Sequence, residues 1–213
     1  MEDPKPRAYE NLRYRIMTHD LRPGELLNER ELMAAYGIGR TPLREVLLEL
    51  QRDGLIQRFP RSGTFVAPLD LHLFRQVIEI RINLEGFAAQ LAAERITEAE
   101  LEGLSRVLER VEELEGANSE NLEPLTQCEF DFHNRLSQAT HNRKLGGILH
   151  ELHGISARFW HYLVFSREEL LDQFKDHRDM IDALAERDAQ RARRIMERHI
   201  QRFVDKVRES ILK

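Results

Sequence analysis

Four residues of this chain can do chemistry together. Glu129 and His133 lie four apart, and His177 and His199 follow at long intervals. Each histidine falls where an amphipathic helix should carry an apolar residue. Glu129 and His133 share a seam with Phe132 and Leu136. His177 sits among Phe174, Met180, Ile181 and Leu184, and His199 among Ala192, Ile195, Met196 and Phe203. A buried imidazole or carboxylate without a partner is costly. One carboxylate and three imidazoles arriving from three helices satisfy one another through a divalent cation, and such ligands suit Zn²⁺, Ni²⁺, Mn²⁺ or Fe²⁺. Any one of these histidines alone is more often an ordinary hydrogen-bonded residue. The case rests on three separate stripes and on the carboxylate one turn from His133.

Arg81 also falls inside an apolar stripe, formed by Phe74, Val77, Ile78, Leu84, Ala88 and Leu91, with Glu85 four residues on. An intrahelical ion pair explains it; an inward guanidinium that grips a carboxylate ligand is the functional alternative. Arg158 and Tyr162 are further candidates for lining such a pocket. The other histidines (His19, His72, His141, His150, His153, His161) lack the pattern and read as solvated or hydrogen-bonding groups.

A second kind of chemistry sits near the front of the chain. Arg40, Thr41 and Arg44 occupy the exposed start of a short helix, the end that a helix-turn-helix protein inserts into the major groove of DNA. The stretch Asn28–Leu55 supplies that motif. Asn28 caps the first helix with Glu31 three residues on, and Gly37 ends it with positive φ. Thr41-Pro42 reads as the cap and first position of the second helix. Leu43, Val46, Leu47 and Leu50 form its buried stripe. A helix over about Pro6–Thr18 precedes the motif, with a turn at Arg22–Glu25 and a short strand at Leu26-Leu27. Leu55–Phe59, Pro60–Gly63 and Thr64–Ala67 read as strand, turn and strand, a wing whose tip carries Arg61 and Gly63. Pro68 and Asp70 mark a boundary between a head at 1–69 and a second domain at 70–213.

From Leu71 on there is no strand signal. Six helices are expected: about Leu71–Glu94, one from the capping box Thr97–Glu100 to before Gly116, Glu123–Thr140, one from Asn142 to Phe165, one from the capping box Ser166–Glu169 to near Arg187, and Asp188–Leu212, with a polar loop at Asn118–Asn121. Short loops between long helices imply an antiparallel bundle. The fold class is therefore mainly α: a winged helix-turn-helix followed by an all-α six-helix bundle.

The 213 residues are 41% hydrophobic and 32% charged, which suits a helix-rich soluble chain. No apolar run approaches the roughly 18 residues of a membrane span, and the acidic, Pro-containing N-terminus does not read as a signal peptide. Cys128 is the single cysteine, which excludes an intramolecular disulfide and fits a reducing cytoplasm. Net charge is −5; residues 1–68 carry +1 and residues 69–213 carry −6. Nucleic-acid binding must then rest on a local patch rather than on the overall field.

Together these motifs resemble the GntR family of bacterial transcription regulators, in its FadR-like subfamily with an FCD ligand-binding domain. The resemblance runs through Pro23-Gly24, Asn28–Leu32, Gly39–Leu47, Asp53–Leu55 and Gly63–Val66, and then through the helical second domain. It implies that Arg30, Arg40, Thr41, Arg44 and Gly63 sit at DNA-contacting positions. It implies a metal set at Glu129, His133, His177 and His199, where Glu129 replaces the family's Asp, with zinc as the first expectation. The family has Ser or Thr where this chain has Gly39. Six helices resemble the VanR-like branch. The implied behaviour is that of a cytoplasmic homodimer on a short palindromic operator, released or retained when a small organic acid binds near the metal. On that reading Arg40 or Arg44 contacts bases, Arg30, Arg58 and Arg61 contact phosphates, and Arg81 holds the acid's carboxylate. A metal-dependent enzyme built on the same four ligands, or a regulator whose metal is structural or is itself the signal, are the competing readings.

Overall fold

A computed structural model describes residues 4–117, 121–162 and 166–211, with the side chains of all but 160–162 and 211. The element order is α1 (Pro4–Met17), α2 (Glu29–Tyr36), α3 (Arg40–Arg52), β1 (Ile56–Phe59), β2 (Gly63–Val66), α4 (Leu71–Arg95), α5 (Glu98–Ala117), α6 (Glu123–Ala139), α7 (Arg143–Tyr162), α8 (Arg167–Ala185) and α9 (Ala189–Ile211). Most of the expected loop at Asn118–Asn121, and residues 163–165 of the expected fourth bundle helix, lie outside the described residues. Two compact units emerge. One is Met1–Val77 with Glu151–Leu163, the other Ile78–His150 with Val164–Lys213, so α4 and α7 contribute to both.

In the first unit the Asn28 side chain accepts from the Arg30 and Glu31 amides and donates to the Glu31 carboxylate at 2.6 Å. Gly37 closes α2 in the left-handed region at φ 62°. Helix α3 starts earlier than the Thr-Pro signal implied: Gly39 is its N-cap and makes no side-chain cap bond. Thr41 and Pro42 therefore lie within its first turn, where a proline still needs no donor. Leu43, Val46, Leu47 and Leu50 pack into one core with Leu12, Ile16, Leu32 and Ile56. Burial of each such side chain contributes about 1.5–3 kcal/mol. The Tyr9 hydroxyl donates to Asp53 at 2.5 Å, tying α1 to the end of α3.

The wing pairs Ile56 with Val66 and Phe59 with Gly63 in antiparallel register, and the expected strand at Leu26 is an isolated bridge to Phe65. The backbone at Gly63 calls for glycine, and a side chain there would also displace exposed Leu26. The φ of Gly63 is 114°, and a Cβ there would lie 2.8 Å from Leu26 Cδ1.

In the second unit the capping boxes expected at Thr97 and Ser166 both form. Cross-helix contacts fix the directions. His141 meets Glu100 at 2.9 Å and a Cβ on Gly103 would meet Arg135, so α5 and α6 are antiparallel. Arg95 donates to the Thr140 carbonyl while Glu85 meets His133, so α4 runs parallel to α6. Arg178 pairs with Glu112 and Arg167 donates to the Leu114 carbonyl, so α8 opposes α5 and also runs with α6. Lys206 pairs with Glu169 and Arg198 with Asp176, so α9 opposes α8.

Candidate functional site

The second unit brings Glu129, His133, His177 and His199 together: one ligand atom from each lies within 4.8 Å of all the others. Helices α6, α8 and α9 deliver them because each places its polar residue on the apolar, core-facing stripe. His133 Nε2 is 3.1 Å from Glu129 Oε1 and 3.2 Å from His199 Nε2. His199 Nε2 is 3.4 Å from the same carboxylate oxygen, and His177 Nδ1 is 3.6 Å from Glu129 Oε2. Phe132 and Phe174 flank the His177 ring, at 4.0 and 5.3 Å between centroids.

Two carboxylates outside this set orient it. Glu85 Oε2 lies 3.0 Å from His133 Nδ1, a charge contact without hydrogen-bond geometry, and His133 Nε2 faces the cluster. Glu85 is itself held by Arg81, whose Nε donates to Oε1 at 2.5 Å. Asp176, buried under Arg198 and Arg202, lies 3.9 Å from His199 Nδ1, a charge contact rather than a hydrogen bond. Sequence reading assigned no role at the cluster to Glu85 or Asp176. Glu85 looked like an ordinary i, i+4 partner of Arg81, and Asp176 gave no signal beyond adjacency to His177.

Charges are unevenly settled at this cluster. Burial alone would push the Glu129 carboxyl up, but His177, His133 and His199 outweigh it and hold it well below the usual carboxylate range. Burial would lower His133, yet Glu85 and Glu129 on its two sides raise it to about 9. His177 is driven well below its ordinary value, chiefly by burial, with His199 and His133 adding to the effect. Both ring nitrogens of His177, Glu129 Oε2 and His199 Nδ1 are buried without a hydrogen-bond partner. Such orphaned groups are expensive unless something else binds them. Three imidazole nitrogens and a carboxylate around one point are a donor set that a divalent cation of the zinc class would satisfy. Glu129 reaches the group despite its extra methylene.

Arg81 sits beside this group, one turn before Glu85, and is 3% exposed. The intrahelical pair that explains it is therefore formed, and it is linked through Glu85 to His133. Arg158, another expected lining residue, is held by the backbone. It belongs to the other compact unit, 2% exposed, where it donates to the Ala67 carbonyl and burial lowers it to about 10. The Tyr162 side chain lies outside the described residues.

At the front of the chain, Arg30, Arg40, Thr41, Arg44, Arg61 and Gly63 are all exposed. Among the described residues none of these four arginines is paired with a carboxylate, whereas Arg58 lies 3.7 Å from Glu29. The acids of α3 are drawn aside, since Lys5 holds Glu45 at 2.9 Å and Glu49 at 3.0 Å. The exposed end of α3 is left cationic, as contact with phosphates requires. Among the described residues no helix is long and apolar enough to cross a membrane.

Known proteins share this architecture. Residues 4–66 match the family of bacterial regulatory proteins called gntR, and residues 76–202 match the FCD domain. The chain is 27% identical over 198 residues to the HTH-type transcriptional regulator YdhC of Bacillus subtilis, covering 91% of this chain and 87% of that one. It is 30% identical over 198 residues to the Nta operon transcriptional regulator of Aminobacter aminovorans, covering 92% and 90%. The solved structure of E. coli McbR/YncC shares its fold at TM-score 0.86 and 21% identity, covering 98% and 99%. A cationic helix tip beside a wing, an all-helical second domain and relatives that regulate transcription lead to one conclusion: this chain belongs to the GntR family, carries an FCD domain, and is a DNA-binding transcription regulator rather than an enzyme.

Proposed function

We propose that this regulator's operator affinity is set by a small organic acid bound beside a divalent metal ion in the FCD domain. It acts in the cytoplasm as a homodimer on a short palindromic operator, with a head at residues 1–69 and a sensing and dimerising domain at 70–213. Arg40 and Arg44 read bases, and a bidentate Arg–guanine pair contributes about 1–3 kcal/mol of discrimination. Arg30, Arg58 and Arg61 contact phosphates, Thr41 supports the start of α3, and Gly63 lets the wing backbone approach the groove. Glu129, His133, His177 and His199 hold the ion, zinc before nickel, manganese or iron. When bound, the ion supplies a Lewis-acid site for a carboxylate oxygen, and Arg81 provides a second cation for that carboxylate.

The observation that carries this reading is the set of orphaned buried atoms on Glu129 and His177 inside a four-residue ligand group. Operator titrations of the zinc-loaded and chelator-treated protein, each with and without a panel of small carboxylates, test it. The reading requires at least one acid to change operator affinity, and to do so only in the metal-loaded protein. A purely structural ion, suggested by the packing of His177 between Phe132 and Phe174, instead predicts lost stability on chelation with no acid response.

A further inference from the structure

The ligand cluster has two unlike sides. Helices α4, α6 and α8 run in one direction and α9 runs against them, so one turn toward the C-terminal ends of the first three gives Ala88, Leu136 and Met180, with Met196 from α9. All four are apolar and at most 3% exposed. One turn the other way gives Arg81, Thr126 and Gln173, with Phe203 from α9. Thr126 is three residues before Glu129, and Gln173 is four before His177, which places each on the same helix face as the ligand beyond it. Thr126 is 2% exposed and Gln173 is 3% exposed. Thr126 Oγ1 and Gln173 Oε1 are both buried with no hydrogen-bond partner. A metal ion relieves Glu129 and His177 but not these two.

We infer that Thr126 and Gln173 form the hydroxyl-reading part of the effector site, so that the acid this protein senses is a hydroxy acid. This rests on the carboxylate-effector reading above. The amide oxygen of Gln173 only accepts, whereas the hydroxyl of Thr126 can donate. An alcohol seated between them would donate to Gln173 and accept from Thr126. An ammonium group would also donate, but Arg81 and the bound cation make this layer hostile to it. The polar layer thus selects a molecule with a carboxylate at one end and a hydroxyl within reach of the other, and disfavours the amino acid of the same shape.

Isothermal titration of the zinc-loaded full chain with matched pairs tests this: malate against succinate, lactate against propionate, 3-hydroxybutyrate against butyrate, each chiral acid as separate enantiomers. L-Aspartate serves as the ammonium control. In at least one pair the hydroxy acid should bind on the order of tenfold to a hundredfold more tightly, the range expected when a buried acceptor is left unpaired by the analogue. Aspartate should bind more weakly than malate. In the Thr126→Val, Gln173→Met double variant the preference should vanish, with zinc content unchanged and the melting temperature of the effector-free protein not lowered. Equal affinity within every pair, aspartate binding as tightly as malate, or a preference that survives the double variant would overturn the inference and leave the carboxylate reading standing. If no acid in the panel binds, the carboxylate reading falls and this inference with it.

Discussion

At the scale of single residues, the proposed metal site separates groups that would touch the ion from groups that would aim them. His177→Ala should abolish stoichiometric metal binding, and full zinc content by elemental analysis would rule out the ligand set. Glu85→Gln keeps the shape but weakens the grip on His133 Nδ1. It should cost about 10–100-fold in zinc affinity, read by competition with a chromophoric chelator. The Glu/His cluster was legible in sequence because imidazoles interrupted otherwise apolar stripes. Its orienting carboxylates were not, because an acid beside an arginine looks the same whether it is solvated or buried. For Arg158, periodicity gave the face of a helix but not the compact unit that each half of a long helix joins. Another single-residue effect lies in the first unit. Burial, with Arg158 nearby, lowers His19 to about 4. The unfolded chain takes up that proton near pH 6.5 while the folded chain resists it, so this contribution is intact above pH 6.5 and is lost as pH falls toward 4. His19→Asn, which tolerates the φ of 61° there, should flatten the pH dependence of urea midpoints across that window.

The helix-turn-helix and wing are where element-scale arguments are sharpest. Caps, stripe and turn signals placed both helices and the hairpin to within a few residues, because local chemistry dominates short elements. The start of α3 was missed because Thr-Pro is a strong capping signal, yet the chain begins the helix on Gly39. A Cβ on Gly39 would have only Pro42 Cδ near it, at 4.0 Å. Gly39→Ser should therefore cap α3 and raise stability by a few tenths of a kcal/mol in chemical denaturation. Gly63→Ala should do the opposite. It forces an L-residue to φ 114° and crowds Leu26, at a cost of about 1–3 kcal/mol. Adding Leu26→Ala should recover only the steric part, since the backbone strain remains.

For the whole molecule, net charge gives no long-range help. The residues beyond 68 carry −6, so operator binding must come from few, close cations and be steep in salt. On the proposed reading, three phosphate-contacting arginines in each protomer of a dimer predict a slope of log K against log salt of about −5, and Arg61→Ala should reduce its magnitude by about 2. Fluorescence anisotropy across a salt series measures both. The cluster described above also ties helices far apart in the chain, with α6, α8 and α9 supplying ligands and α4 supplying Glu85. An ion seated there can leave only when those helices part, so their opening events become a single event. Amide hydrogens along the four helices should exchange with one shared rate in the loaded protein and with separate, faster rates after chelation. Proteolytic lifetime would follow the same pattern, and on the proposed metal reading the abundance of this regulator would track metal supply.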